Sequence, residues 1–269
     1  MKYTSNSETS YYTIGFYNLE NLFDTKDDKN VLDDDFTENS PRNWNTDRYN
    51  TKIRKLGKII KKLGKENKLH PPLIVGVAEV ENEDVLYDLI NSKHLKNFGY
   101  QFIHFDSPDE RGIDTALLFR ENYFNVLESE AIPLYINNTN GQRDYTRDIL
   151  YVKGEIENNI IHLLVNHWPS RRSGNDETVY KRKAAAVKNR EIIDRIVNED
   201  LDAKVLIMGD FNDNPSSESI AILKNTDFYN PMDLLLTNEK GTLNYRGEWN
   251  LFDQIIISNN FLKPYDNTF

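Results

Sequence analysis

The 269-residue sequence contains no cysteine. Its absence excludes disulfide bonds, zinc–thiolate sites and cysteine nucleophiles. No apolar run approaches the roughly 18 residues that a membrane-spanning helix needs, so we expect no membrane span. Residues 1–17 contain no apolar segment of the signal-peptide type. The missing signal peptide favours a cytoplasmic protein, with secretion open if the N-terminus is trimmed, whereas the absence of cysteine does not identify the compartment.

Two motifs of common hydrolases are also missing. No G-x-S-x-G segment is present, which disfavours a serine hydrolase. No G-x-x-x-x-G-K followed by Ser or Thr is present, which disfavours a P-loop nucleotide hydrolase. The net charge of −10 argues against a protein that coats nucleic acid through its overall charge. It leaves room for an enzyme with a local basic patch.

The pattern of apolar residues predicts one α/β domain over residues 1–269. We find no internal repeat and no long low-complexity linker, and predicted helices and strands alternate in places. A helix is predicted from Thr46, with Ile53, Leu56 and Ile60 at helical spacing. Lysines occupy most of its remaining circumference, which is typical of either a solvated face or a phosphate-binding face.

Polar side chains recur where predicted strands end. The clearest case is "MGDFNDNP", residues 208–215, which follows the apolar run "AKVLI". Turns favour Asp, Asn and Pro, so one such cluster has a simple structural explanation. Five strand termini with amide, carboxylate or imidazole groups indicate a common site, because ligand sites of α/β folds gather at strand ends. The residues are Asn18, Glu79, His167, the pair Asp210 and Asn212, and Asp253.

These side chains suit a hard cation. Carboxylate and amide oxygens without thiolates favour Mg²⁺, with Mn²⁺ or Ca²⁺ as alternatives. A dedicated calcium loop starting at Asp210 is not indicated, since its sixth position is Pro215 and its twelfth is Ala221, where Gly and Glu are needed. With the other hydrolase motifs missing, metal-assisted hydrolysis of a phosphate ester is the reaction class that the sequence favours.

Seven segments, in this order, resemble the motifs of the endonuclease/exonuclease/phosphatase superfamily, the DNase I-like fold. They are "FYNLENLFD", "GVAEVEN", "RGIDTALLF", "TRDILYVKG", "VNHWPSR", "MGDFNDNP" and "FDQIIIS", which together extend over nearly the whole chain. The resemblance implies a four-layer α/β/β/α sandwich, in which two mostly antiparallel sheets lie face to face with helices outside. It also implies a nuclease-like enzyme that acts on nucleic acid or another phosphate ester.

The resemblance further implies roles for individual residues. Glu79 matches the metal-ligand glutamate, and Asn18 matches the amide that supports the metal and the phosphate. Asp210 and Asn212 match the pair that orients the attacking water and the scissile phosphate. His167 matches the residue that binds a non-bridging oxygen or assists the leaving group.

Four further positions complete the implied site. Asp253 matches the carboxylate that orients a catalytic histidine, and Arg147 matches an arginine near the substrate backbone. Arg111 and Asp114, both in "RGIDTALLF", are additional candidates for substrate binding.

The sequence departs from the family pattern after its last predicted strand. The family continues with a strand that carries Ser-Asp-His, whose histidine is the general base, and no such triplet follows Asp253. We therefore expect a chain that lacks its C-terminal strand, either as a truncated form or as a weakened relative. A lipid- or sugar-phosphate phosphatase and a catalytically impaired phosphate-binding module remain alternatives to a nuclease.

Overall fold

Three apolar clusters separate the fold into four layers. A computed structural model describes residues 11–29, 31–67, 69–172, 174–237 and 239–263. One cluster lies between the two main sheets, and each of the other two lies between one sheet and its helices. The predicted α/β/β/α sandwich is confirmed. The prediction about a signal peptide rests largely on residues 1–10, which lie outside the described part of the chain.

The strands belong to two main sheets and two small hairpins. In chain order they are β1 (Ile14–Leu22), β2 (Ile74–Val80), β3 (Tyr100–His104), β4 (Asp114–Arg120), β5 (Asn125–Ile132), β6 (Ile136–Asn137), β7 (Arg143–Asp144), β8 (Ile149–Ile156), β9 (Asn159–His167), β10 (Lys204–Asp210), β11 (Phe228–Tyr229), β12 (Leu243–Tyr245), β13 (Glu248–Asn250) and β14 (Asp253–Ser258). The first main sheet has the order β1-β2-β4-β3, and the second has the order β11-β14-β10-β9-β8-β5. Only the β1–β2 and β9–β10 pairs of these sheets are parallel.

In the described ranges, four α-helices cover the outer faces of the sheets. They are α1 (Thr46–Ile60), α2 (Glu83–Ile90), α3 (Asn175–Glu199) and α4 (Glu218–Lys224). Helices α1 and α2 pack on the first sheet, and α3 and α4 pack on the second. None of the helices in the described ranges is both long enough and apolar enough to cross a membrane.

Local sequence explains where α1 and α2 begin. Asn45 caps α1 by accepting a hydrogen bond from the Arg48 amide, and Asn82 caps α2 by accepting one from the Val85 amide. Each cap satisfies an amide that has no partner within its helix. The buried residues of α1 recur every three or four positions, so one face of this helix enters the core while the opposite face stays in water.

The predicted end of the first strand at Asn18 is wrong. Strand β1 continues to Leu22, and its pairing with β2 shifts register between Asn18 and Leu22. Glu20 and Asn21 have positive φ angles of 55° and 60°, as expected where a strand bulges. The bulge keeps Asn18 inside the sheet, so its amide meets neighbouring strands and not a surface loop.

Close approach of β9 and β10 requires a glycine beside the site. A methyl group on Gly209 would lie 2.3 Å from the backbone oxygen of Asn166, which cannot move away without breaking the sheet. A methyl group on Gly76 would lie equally close, at 2.4 Å, but to the flexible Met208 sulfur. The two glycines therefore differ in how well their surroundings can adapt.

We expect Gly209→Ala to lower the free energy of unfolding by about 2 kcal/mol or more, in the upper part of the range for overpacked cores. Gly76→Ala is the matched comparison and should cost less, because the Met208 side chain can adopt another rotamer. Urea denaturation of both variants measures the difference. Equal losses would contradict the distinction between backbone and side-chain contacts.

Candidate active site

Strands β9, β10 and β14 bring three of the predicted residues side by side. Asp210 ends β10, where it pairs with His167 on β9 and with Asp253 on β14. Along the chain, each of these residues is more than 40 positions from the next. Sheet register therefore places the Asp210 carboxylate between the His167 imidazole and the Asp253 carboxylate.

Glu79 reaches the same group from the other sheet. Its φ angle of 61° accompanies a register shift between Ala78 and Val80, so the backbone bulges at the glutamate. The Oε1 atom of Glu79 lies 3.6 Å from Nε2 of His167, and its Oε2 atom accepts a hydrogen bond of 2.8 Å from the Asn21 amide. Left-handed backbone is unfavourable for a glutamate, and such strain is concentrated at functional sites.

Asn18 and Asn212 hold the Asp210 carboxylate in place. Asn18 donates from Nδ2 to Oδ2 of Asp210 at 3.0 Å, and the Asn212 amide donates to Oδ1 at 2.9 Å. The Asn18 side-chain oxygen accepts from the Glu20 amide, and Asn212 donates from Nδ2 to the Trp168 carbonyl. Both asparagines thus orient groups of the site, while their contact with a metal or phosphate stays a prediction.

His167 is a neutral imidazole at this centre. Only 2% of its side chain is exposed, and burial lowers its pKa well below the usual value, with further lowering from Arg147 and Arg111. Its Nε2 atom faces carboxylate oxygens of Glu79 at 3.6 Å and Asp210 at 4.0 Å. The neighbouring carboxylate oxygens favour the tautomer that carries its proton on Nε2.

The carboxylates repel one another. Burial, followed by the charges of Asp210, Glu79 and Glu20, raises the pKa of Asp253 to about 8, against a hydrogen bond from Thr242 that lowers it. Burial and, to a smaller extent, Glu79 likewise raise the pKa of Asp210. Burial and neighbouring negative charge both disfavour the ionised carboxylates, so acidic groups are crowded at this point.

Such a concentration fits a divalent cation. Glu79 and Asp210 keep 14% and 13% of their side chains exposed, so an ion can reach both carboxylates. Oxygen donors without thiolates match the preference of Mg²⁺, and a bound cation would remove the repulsion that raises the pKa values. Glu79 would hold the metal, beside Asp210, whose Oδ2 atom accepts a hydrogen bond from Asn18.

Arg147 lies beneath the centre. Its guanidinium donates to the backbone carbonyls of His167 and Trp168, at 3.2 Å and 2.8 Å, and pairs with Asp109 at 2.9 Å. The residue is buried, so these protein acceptors use most of its donors. The arrangement fixes the turn after β9, whereas the predicted contact with substrate stays untested.

Arg111 lies nearer to the surface, with 26% of its side chain exposed. Its Nε atom lies 3.8 Å from Asp109, and burial together with Arg147 lowers its pKa. Glu79 counteracts that lowering, which shows that the guanidinium lies within electrostatic range of the centre. A contact between Arg111 and substrate stays a prediction.

Asp114 has hydrogen-bond partners outside the group formed by Glu79, His167 and Asp210. It accepts from Nε2 of His104 at 3.0 Å and from the Ser107 amide at 2.9 Å. Asp114, His104 and Asp106 each bring one ligand atom within 4.8 Å of the other two, so these three residues form a second group able to hold a metal. A substrate contact by Asp114 remains a prediction.

The segment "MGDFNDNP" has two functions. Asp210 and Asn212 face the centre, whereas Asp213 points into the protein. There it pairs with Arg171 at 2.5 Å and with the fully buried Arg182 at 2.8 Å. The sequence does not separate Asp213 from Asp210 and Asn212, because the segment shows no periodicity that indicates which side chains are buried.

Sequence reasoning also missed residues that support the site. Asp109 binds both arginines, the Thr242 hydroxyl lowers the pKa of Asp253, and Lys52 donates to backbone carbonyls of the β1 bulge. None of these positions belongs to an apolar run with a polar terminus. Only the lysine-rich pattern of α1 pointed towards one of them.

The comparison with family models is decisive for classification. The model described as "Endonuclease/Exonuclease/phosphatase family" matches residues 13–269. The chain belongs to the endonuclease/exonuclease/phosphatase family. Its members are phosphoesterase hydrolases. No curated protein matches the sequence significantly.

Solved structures support the same fold. The human Nocturnin catalytic domain with bound sulfate is 19% identical, with a TM-score of 0.56 over 77% of this chain and 74% of that one. A TDP2 of D. rerio humanized by 14 mutations is 17% identical, with a TM-score of 0.57 over 90% and 81%. A mannosyl-6-phosphatase of Bacteroides thetaiotaomicron is 13% identical, with a TM-score of 0.58 over 92% and 85%. At these identities the likeness concerns the fold.

Two aspartates of one segment are expected to give opposite phenotypes. Asp213→Asn should destabilise the fold by about 3–5 kcal/mol, because Arg182 loses its buried charged partner. Asp210→Asn should leave the fold intact, since it removes a carboxylate that repels its neighbours. Urea denaturation of both variants measures stability. A folded Asp213→Asn protein with unchanged stability would contradict the structural role of Asp213.

The raised pKa of Asp253 predicts a pH-dependent stability. The folded, metal-free protein keeps a proton on Asp253 up to pH about 8, whereas the unfolded chain releases it near pH 4. Stability therefore falls as pH rises through this window. Asp253→Asn should stabilise the metal-free protein, and its advantage should grow from pH 5 to pH 8. Thermal unfolding in chelator measures it; an advantage independent of pH would indicate packing and not charge.

Proposed function

We propose that this chain is a divalent-metal-dependent phosphodiesterase that hydrolyses nucleic acid by in-line attack of water. The observation that carries the proposal is the meeting of Glu79, His167 and Asp210, with His167 Nε2 at 3.6 Å and 4.0 Å from the two carboxylates. These groups come from both sheets and meet at one solvent-accessible point. Membership of a phosphoesterase family supports the same reaction class.

Glu79 would hold the metal, which when bound would supply charge neutralisation for the phosphate and its leaving oxygen. The Nε2–H group of His167 donates a hydrogen bond to a non-bridging oxygen, where negative charge develops. Because the imidazole is buried and neutral, this donor keeps its proton across a wide pH range. A fixed donor of this kind stabilises the transition state without reorganisation.

Asp210 is our candidate for the group that orients water and accepts its proton. Burial raises its pKa, which makes its carboxylate a better base than an exposed aspartate. The Asn18 amide and the Asn212 backbone amide fix both of its oxygens, so its direction is set before substrate arrives. The charge of Glu79 raises the pKa of Asp210 as well.

A positive rim supports a phosphate substrate. Arg111 is partly exposed, and Arg172, which is exposed, lies close enough to lower its pKa. Two neighbouring arginines attract the phosphates that flank a scissile bond, as in a polynucleotide. This rim favours a polyanionic diester although the whole chain carries a net charge of −10.

A sugar-phosphate phosphatase is the second candidate. A mannosyl-6-phosphatase shares the fold over 92% of this chain. The negative net charge of the chain also suits a small substrate better than a long polyanion. Parallel assays of phosphate release from a sugar phosphate and of oligonucleotide cleavage separate the two functions.

We expect Glu79→Gln to abolish Mg²⁺-dependent hydrolysis of a phosphodiester and to weaken Mg²⁺ binding, because an amide replaces the charged ligand. Glu83→Gln is the matched control, since Glu83 is exposed and lies at the start of α2. Calorimetric titration with Mg²⁺ and cleavage assays with chelator measure both effects.

Three outcomes are informative. Wild-type metal affinity and rate in Glu79→Gln would contradict the assignment of the metal ligand. Wild-type protein that binds Mg²⁺ but hydrolyses neither diesters nor monoesters would indicate a phosphate-binding module. Faster turnover of a monoester than of every diester would favour the phosphatase.

A further inference from the structure

A cleft of about 800 Å³ opens between β1 and α1, beside the active site. Its walls combine basic, acidic and aromatic side chains. The charged and aromatic residues that line it are Tyr17, Glu20, Phe36, Arg42, Trp44, Asp47, Arg48, Lys52 and Lys55. The proposed hydrolysis uses none of these side chains, so the cleft has no assigned role.

The basic residues of the cleft lie on one face of α1. Arg48, Lys52 and Lys55 follow at spacings of four and three, which places them above one another along the helix. Together with Arg42 they outnumber the two acidic residues of the cleft, in a chain whose net charge is −10. Basic side chains therefore concentrate where an anionic ligand can enter. This part of α1 lines a cleft and is not simply a solvent-exposed helix face.

Aromatic rings occupy the same cleft. The Lys52 ammonium lies 5.6 Å from the centre of the Trp44 ring, and Phe36 stacks on Phe23 with ring centres 4.2 Å apart. Trp44 donates from Nε1 to the Asp24 carbonyl at 2.7 Å, which fixes its orientation. Aromatic rings beside basic side chains are the combination on which single-stranded nucleic acid is bound, with bases on rings and phosphates on basic groups.

Short contacts connect the cleft to the active site. Lys52 donates to the Asn21 carbonyl at 3.0 Å, and the Asn21 amide donates to Oε2 of Glu79 at 2.8 Å. Asn21 thus contacts both Lys52 of the cleft wall and Glu79, the proposed metal ligand. Nucleotides that adjoin a phosphate bound at Glu79 would therefore lie close to the cleft.

We propose that the cleft between β1 and α1 binds the nucleotides next to the scissile phosphate, and that it selects single-stranded nucleic acid. This inference rests on the proposed function and adds the path and strandedness of the substrate. Base pairing hides the faces and edges of bases inside a duplex, so only an unpaired strand can lay a base against Trp44 or Tyr17. Lys55, which is exposed, is then free to meet the next phosphate.

The test compares Lys55→Glu with Lys58→Glu. Both lysines are exposed on α1, but Lys58 lies outside the cleft and on the side of His94, whose pKa it lowers. Binding of a fluorescent single strand of about ten nucleotides, a length within known site sizes, is measured by anisotropy in chelator. Turnover of bis(p-nitrophenyl) phosphate with Mg²⁺ is measured separately, because this small diester does not extend into the cleft.

We expect Lys55→Glu to weaken single-strand binding about tenfold and to reduce the salt dependence of log K by roughly one ion, as for a lost phosphate contact. Lys55→Arg should restore binding, and Lys58→Glu should change it less than twofold. Turnover of the small diester should be unchanged in all three variants.

Equal losses in Lys55→Glu and Lys58→Glu would overturn the inference, because they would reflect overall charge. Duplex binding as tight as single-strand binding would overturn the selection of single strands. Failure of the proposed function has a different signature, since the wild-type protein would then hydrolyse neither the small diester nor the oligonucleotide, whatever the binding data show.

Discussion

Burial of neighbouring acidic groups is the constraint on which the site depends. Strands β2, β10 and β14 bring Glu79, Asp210 and Asp253 together. Burial is the largest cause of the raised pKa of both Asp210 and Asp253, so their charged forms cost free energy in the folded protein. Apolar packing between and outside the sheets supplies that free energy, so the stability of the sandwich and the chemistry of its edge are linked.

The fold meets this constraint with rigid supports. Gly209 lets β9 and β10 approach, while Arg147 ties the turn after His167 to Asp109. Asp213 joins Arg171 and Arg182 directly behind the site. Each support is buried and uses its hydrogen-bonding groups within the protein. A site on such a scaffold keeps its geometry before substrate binds, which is the condition for electrostatic stabilisation of a transition state.

The bulges in β1 and β2 connect chemistry with substrate binding. Positive φ angles at Asn21 and Glu79 turn an amide and a carboxylate towards each other. The same bulge presents carbonyls to Lys52 on α1, so the helix that closes the cleft is attached to the metal-ligand strand. Hydrolysis and recognition of the flanking nucleotides thereby share one backbone feature.

The sequence by itself determined the class of fold, the long helices and most residues of the centre, because apolar periodicity and polar strand ends are local signals. It predicted Glu79, His167, Asp210 and Asp253 as neighbours, and sheet register places the last three side by side. Tertiary structure decided the rest. The continuation of β1 beyond Asn18, the inward direction of Asp213 and the partnership of Asp109 with two arginines depend on bulges and long-range contacts. Such contacts join residues distant in the chain, and no local pattern encodes them.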